Sequence, residues 1–219
     1  MFTQIWHHVT HFALPTMCIA CRDLLPTGEP LGVCPTCWAE LPFWKHELEP
    51  MPHLPKGVDS FAAPFLYEKP VKNWITRTKF SDRTELAPVL AEFMLSHLPK
   101  IKNALLVPVP LHSSRLRGRL FNQSAMLVRT ISKRSGVEWH HAALHRVQKT
   151  RPQVSKTRKQ RQQLPNNAFY ADEKLVNGRN IILVDDIWTT GSTARACATV
   201  LKKAGAKRVD VLTATYVAP

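Results

Sequence analysis

The sequence predicts an α/β protein: a parallel sheet flanked by helices, preceded by a small cysteine-bound module. Three observations predict it. Short apolar runs, Ala104–Val109 and Ile181–Val184, have the length of strands buried on both faces. Segments with helical apolar spacing alternate with those runs, the pattern of parallel strands joined by helical crossovers. Four cysteines stand close to the start as C-x2-C, twelve residues, C-x2-C. At 219 residues the chain has room for one main domain and a small appendage. The expected division is residues 1–50 for the cysteine module with its linker and 51–219 for the main domain.

The elements follow in order. Cys18, Cys21, Cys34 and Cys37 form two knuckles, each able to aim two sulfurs at one point. Together they complete a tetrahedral thiolate shell, the structural zinc arrangement, which leaves no open position for catalysis. Two disulfides or a redox pair are the competing readings. A redox C-x2-C wants a thioredoxin-like strand-to-helix setting, which is absent, and an iron–sulfur cluster is the other alternative. Trp38 to Lys56, rich in Pro, Trp and Glu without periodicity, reads as a linker. Phe61–Tyr67 reads as a strand; Val71–Lys79 and Glu85–Leu98 read as helices. Ala104–Val109 is a strand and Asn122–Lys133 a helix. Gln148–Gln163, the most basic stretch, reads as a mobile loop or an exposed helix. Asn180–Val184 is a strand, Ser192–Ala204 a helix and Arg208–Thr215 a strand. Within the last helix Ala194, Cys197, Ala198 and Leu201 share one face, so Cys197 is expected to be buried and unreactive.

Charge is distributed unevenly. The chain carries 30 Lys and Arg against 16 Asp and Glu, net +14. Residues 101–163 hold 14 of those bases and one acid, Glu138, so nearly all the surplus lies there. Such a segment repels itself unless an anion sits against it: polyphosphate, nucleic acid or acidic lipid. No run of about 18 apolar residues occurs, so no transmembrane helix is expected. Residues 1–13 carry three histidines and no Lys or Arg, which argues against a cleaved secretory signal and for a cytoplasmic protein. Of the ten histidines, His7, His8, His11, His140 and His141 show no metal-ligand pattern. Neither G-x-S-x-G nor G-x4-G-K-[ST] is present, which disfavours elbow-type serine hydrolases and P-loop ATPases.

The most informative segment is Ile181-Ile-Leu-Val-Asp-Asp-Ile-Trp-Thr-Thr-Gly-Ser-Thr193. A buried strand ends in two acids, Asp185 and Asp186. Thr189, Thr190, Gly191, Ser192 and Thr193 then lead into a helix. Ligands of open α/β sheets bind at such strand ends. Gly191 and the small residues around it let backbone N–H groups approach a phosphate at the helix N-terminus. The carboxylates repel phosphate but accept hydrogen bonds from sugar hydroxyls. One strand end thus offers a phosphate nest and a diol grip.

This run resembles, over all thirteen positions, the phosphoribosyl-pyrophosphate (PRPP) motif of type I phosphoribosyltransferases. Val107-Pro-Val-Pro-Leu-His112, then Arg115, Arg117 and Arg119, then Phe121-Asn-Gln123, is similar to the central signature of the ComF/GntX family. So are Arg146, Thr150 and Gln153, with Asn167-Ala-Phe169 after a basic run, and the four-cysteine module completes the pattern. Leu120 stands where relatives usually have Gly, and Trp188 where the motif usually has a smaller residue. The resemblance implies a type I phosphoribosyltransferase-like sheet with a small zinc-ribbon-like module. It implies that Thr189 to Thr193 hold the 5-phosphate of PRPP, Asp185 and Asp186 hold the ribose, and magnesium bridges the pyrophosphate. Arg115, Arg117 and Arg119 flank the expected pyrophosphate loop. The segment bearing Lys149, Arg151, Arg158, Lys159 and Arg161 occupies the place of a lid, or faces DNA.

Three functions follow from that resemblance. One is a DNA-uptake protein of natural transformation. It would act at the cytoplasmic side of the inner membrane, binding single-stranded DNA, with a helicase or other competence proteins nearby. One is an active phosphoribosyltransferase with a nitrogen acceptor. One is a regulator that senses PRPP. Fourteen cations exceed what one pyrophosphate requires, which tilts the reading toward an additional polyanion.

Overall fold

The computed structural model describes residues 17–25, 32–45, 51–80, 86–111, 122–147 and 168–218. Four strands and a half-strand make one parallel sheet. β1 (Ser60–Ala62) and β2 (Phe65–Leu66) share one edge, both paired with β7 (Arg208–Tyr216). β7 lies beside β6 (Asn180–Trp188), and β6 beside β3 (Ala104–Pro108), giving the order β1-β7-β6-β3. The expected single strand over Phe61–Tyr67 is split at Ala63-Pro64. Pro64 has no N–H for the ladder, and its carbonyl instead accepts from the Trp44 N–H at 2.9 Å. The far edge is covered too: Leu106 N–H donates to Glu138 O, and His140 N–H donates to Leu106 O.

Both faces of the sheet are buried, and the side chains alternate between them with period two. Leu105, Val107, Ile181, Leu183, Val209 and Val211 pack on one side. Helix α6 (Ser192–Lys203) covers that side with the four residues expected from its spacing, Ala194, Cys197, Ala198 and Leu201. Leu106, Ile182, Val184, Leu212 and Ala214 pack on the other side. It is covered by α2 (Val71–Phe80), α3 (Leu86–Leu95) and α4 (Gln123–Ser135). α2 buries Val71, Trp74, Ile75 and Thr78, a helical stripe. α4 starts on an Asn122 cap and stops at Gly136, whose φ of 75° is the left-handed C-terminal turn that favours glycine.

A second, two-stranded sheet pairs β4 (Leu144–Arg146) with β5 (Phe169–Ala171) antiparallel. A single turn, His141–Ala143, precedes it, and the short helix α5 (Glu173–Val176) follows it. The stretch read as a linker is packed where it is described. Leu41 and Trp44 are buried, and Phe43 bridges to Phe65 of β2. The cysteine module includes a short helix α1 (Pro35–Ala39), whose Trp38 meets Phe43 and Phe93 of α3 at ring-centre distances of 5.6 and 5.3 Å. An aromatic cluster of Trp38, Phe43, Phe65 and Phe93 therefore joins the module to the main core.

Candidate functional site

β6 does not stop at Val184; it runs through both acids to Trp188, paired with β7 to Trp188↔Tyr216. Aspartate is a poor strand former, but the Thr213 and Thr215 positions of β7 continue the ladder opposite it. The chain then turns through Thr189 and Thr190 and enters α6 at Gly191. Gly191 takes φ of 69° and, as N-cap, supplies no side-chain acceptor to the first turn of α6. A pocket forms there, lined by Asp185, Thr189, Gly191, Ser192 and Thr193 together with Val109 of the β3 end and Thr213 of β7. Five of the seven residues expected in the nest and sugar grip thus share one cavity. Asp186 is half-buried one residue further along the strand, its carbonyl accepting from the Thr215 hydroxyl. Thr190 is exposed, and its hydroxyl lies 3.2 Å from Ser192 Oγ.

The carboxylate of Asp185 is held in place from two sides. Its Oδ1 accepts from the Ser124 hydroxyl and from the Asp186 N–H, both at 2.9 Å. Ser124 belongs to the first turn of α4, and that turn is itself anchored. The Asn122 side chain accepts from Ser124 N–H and donates to Val109 O at 3.1 Å. The buried Gln123 amide donates to Thr78 of α2. Sequence reasoning missed Ser124 as a positioning residue. Nothing in the chain pointed from Ser124 to a carboxylate 61 residues away.

Trp188 does not stand over the pocket as a free stacking surface. It is 3% exposed, its ring 4.4 Å from Phe61, within a core cluster that includes Trp44 and Tyr216. Its edge lies directly beneath Gly191, where a Cβ would come 2.7 Å from Cζ2. The large residue at this motif position forms the floor of the turn. Cys197, on the inward face of α6, is fully buried. Burial, aided by the charge of Asp185, pushes its thiol well above the ordinary value, in keeping with an inert core position.

The basic residues fall outside the described residues: Arg115, Arg117 and Arg119, and likewise Lys149, Arg151, Arg158, Lys159 and Arg161. Their anchors are described. β3 and β6 are adjacent and parallel, and Val109 N–H donates to Val184 O, so the stretch after Leu111 leaves the sheet beside the acids. It returns at Asn122, bonded to Val109. The second basic stretch leaves from Val147 and returns at Ala168, which are bonded N–H to O at 2.9 Å. β5 packs against α6.

Sulfur geometry in the cysteine module fits a metal. In a tetrahedral shell with zinc–sulfur bonds of about 2.3 Å the sulfurs stand about 3.8 Å apart. Cys21 and Cys34 Sγ are 3.8 Å apart, and all four Sγ lie within 4.8 Å of one another. Backbone N–H groups point at the sulfurs: Cys34 at Cys18, Asp23 at Cys21 and Cys37 at Cys34. Burial raises the Cys18 thiol, but N–H donation, first from Cys34, outweighs it and brings Cys18 down to about 6. Burial and the neighbouring thiols push Cys37 up. Four thiols this close do not ionise together without a cation, and a bound metal would displace the remaining protons. The four cysteines can hold a metal ion.

The phosphoribosyl transferase domain model matches residues 120–218. The chain is 29% identical over 203 residues to the DNA utilization protein YhgH of Salmonella typhi, covering 90% of this chain and 82% of that protein. It is 30% identical over 192 residues to the competence protein ComFC of Streptococcus pneumoniae, covering 86% of this chain and 84% of that protein. A solved glutamine PRPP amidotransferase from B. subtilis aligns with a TM-score of 0.44 at 18% identity, over 62% of this chain and 30% of that one. No helix among the described residues is long and apolar enough to cross a membrane. With its phosphoribosyltransferase domain and its four clustered cysteines, the chain belongs to the ComF/GntX family of competence and DNA-utilization proteins.

Proposed function

We propose that this chain is a ComF-type competence protein that binds PRPP at the end of β6 and handles incoming single-stranded DNA, directly or through a DNA-processing partner such as a helicase. The observation that carries the reading is the pairing of a glycine-capped helix N-terminus with a carboxylate locked on the adjacent strand end. Backbone N–H groups of the first turn of α6, with the hydroxyls of Thr189, Ser192 and Thr193, suit a 5-phosphate. Asp185 and Asp186 accept from ribose hydroxyls. Magnesium would neutralise the pyrophosphate, and Arg115, Arg117 and Arg119 would supply further charge to it. The basic stretch from Lys149 to Arg161 meets either the leaving group or DNA phosphates. Zinc on Cys18, Cys21, Cys34 and Cys37 would act as a staple in a module that spans residues 1–50, with the PRPP domain in 51–219. The names of the relatives, a competence protein and a DNA utilization protein, support the role in transformation, which would take place at the cytoplasmic side of the inner membrane.

The test joins binding to biology. Calorimetric titration with PRPP and magnesium should show binding to the protein and none to Asp185→Asn/Asp186→Asn. The same double substitution, introduced into a transformable host, should lower uptake of marker DNA with protein levels unchanged. Unaltered PRPP binding by the double variant would remove the sugar-grip assignment. Normal transformation with PRPP binding lost would separate the site from the role.

A further inference from the structure

The end of the sheet opposite the PRPP pocket carries a groove of its own. It forms between the last turns of α3 and α4 and the loop that leads into β3, and has a volume of about 660 Å³. The whole of β3, roughly 15 Å, separates it from the pocket at Val109. Leu95, Leu98, Ile101 and Val137 supply its apolar walls. All four are half-buried, so hydrocarbon faces solvent there as one patch. The walls are fixed. Leu98 N–H donates to Leu95 O at 3.2 Å, the Asn180 side chain donates to the Lys102 carbonyl at 2.8 Å, and Gly136 closes α4. A groove already formed needs little ordering when a ligand enters it.

Its rim is basic. Lys100, Lys102 and Arg134 line the groove, and Lys133 stands beside Arg134 on the last turn of α4. The neighbouring acids are already engaged: Glu92 pairs with Arg134 and Glu138 with Arg179, both at 2.8 Å. Lys100, Lys102 and Lys133 are exposed and pair with no acid among the described residues. The negative poles of α3 and α4 offset this only in part, since each amounts to about half a charge. A ligand for this groove must therefore bring hydrocarbon and negative charge together. A membrane surface is flat and does not enter a concavity. A polynucleotide brings phosphates without aliphatic side chains. A peptide with apolar side chains flanked by carboxylates brings both.

We propose that this groove docks an acidic peptide segment of a partner protein. Apolar side chains of the segment sit on Leu95, Leu98, Ile101 and Val137, and its Asp or Glu side chains meet Lys100 and Lys102. The proposal goes beyond the PRPP reading and does not depend on it. Because the groove and the pocket occupy opposite ends of the strands, a docked partner leaves the pocket open.

The test selects binders to the full chain from a library of short random peptides and measures them by fluorescence anisotropy. Selected sequences should combine Leu, Ile or Phe with Asp or Glu. Replacing their acids by Asn and Gln, or their apolar residues by Ser, should weaken binding in either case. Lys100→Ala/Lys102→Ala should weaken it about two- to thirty-fold, the worth of two exposed ion pairs. Added salt should weaken binding to the parent more than to that variant. Ile101→Ser should weaken binding while leaving the salt dependence as in the parent. Both lysines are exposed, so circular dichroism and the urea midpoint of their double variant should match the parent. A selection that yields no acidic, apolar sequences overturns the proposal. So does a selected peptide that binds the parent and the lysine variant equally. Loss of oligothymidylate or phosphatidylglycerol-vesicle binding by the lysine variant, with peptide binding unchanged, assigns the face to a polyanion and overturns it as well.

Discussion

Gly191→Ala is the sharpest probe of the PRPP turn. The left-handed φ of 69° costs a residue with a side chain roughly 1–2 kcal/mol. The added Cβ would meet Trp188 Cζ2 at 2.7 Å, with two more indole atoms at 3.2 and 3.3 Å. That indole cannot swing aside, since it is buried and packed on Phe61. Overpacking of this kind costs roughly 1–3 kcal/mol. The two effects together predict a loss of about 2–5 kcal/mol, a large share of the ~5–15 kcal/mol that holds a domain together. Urea unfolding should show it as a lowered midpoint with an unchanged slope. PRPP binding should fall as well, because the first turn of α6 must shift. Trp188→Leu is itself destabilising, yet it removes the clash, so a double-mutant cycle should return a favourable coupling of about 1–3 kcal/mol. Additive losses, or a Gly191→Ala protein within ~0.5 kcal/mol of the parent, would refute the account of Trp188 as the floor of the turn.

Three further predictions concern other parts of the molecule. Ser124→Ala removes the hydroxyl that donates to Asp185 Oδ1; a bond to a charged group is worth about 1.5–3 kcal/mol. PRPP affinity by calorimetry should drop at least tenfold and the unfolding midpoint should fall with it, and unchanged affinity would show that Ser124 does not position the carboxylate. Metal analysis of purified protein should find about one zinc per chain, and a strong chelator should change the near-ultraviolet signal of Trp38; intact free thiols without metal would refute the staple. Asp59 is held below its usual carboxylate value: burial opposes this, but the Lys202 ammonium at 2.7 Å and the Val209 N–H outweigh it. A depressed folded value gives stability that is present above the unfolded value and lost as pH falls through the folded one. Thermal melts should therefore separate Asp59→Asn from the parent at neutral pH and bring the two together in acid; a gap that stays constant down to the acid limit would count against the ion pair.

How much of this was legible from the residues follows physical lines. Ala104–Pro108 declared itself because burial on both faces demands an unbroken apolar run, and Val71–Phe80 and Ser192–Lys203 because burial of one face imposes a helical period. The four cysteines declared themselves by spacing, and the PRPP turn by composition at fixed positions. β4 and β5 did not, since three residues each are too few for a period, and their pairing spans the whole basic stretch. Asp185 and Asp186 read as a strand end because propensity is local, whereas the ladder with Thr213 and Thr215 is not. Trp44 read as linker because no neighbour in sequence reveals that Pro64 and Phe61 wait for it. Trp188 read as a departure from the family pattern, and only the packing under Gly191 shows what it does there.

The two hydrogen-bonded closures, Asn122 to Val109 and Val147 to Ala168, have a consequence for how this protein can change. Each ties the two ends of a cation-bearing stretch to one point of the framework. Doubling the length of such a closed stretch costs only about 0.6 kcal/mol of closure entropy. By closure entropy alone, a longer or shorter interval between the same anchors therefore costs little.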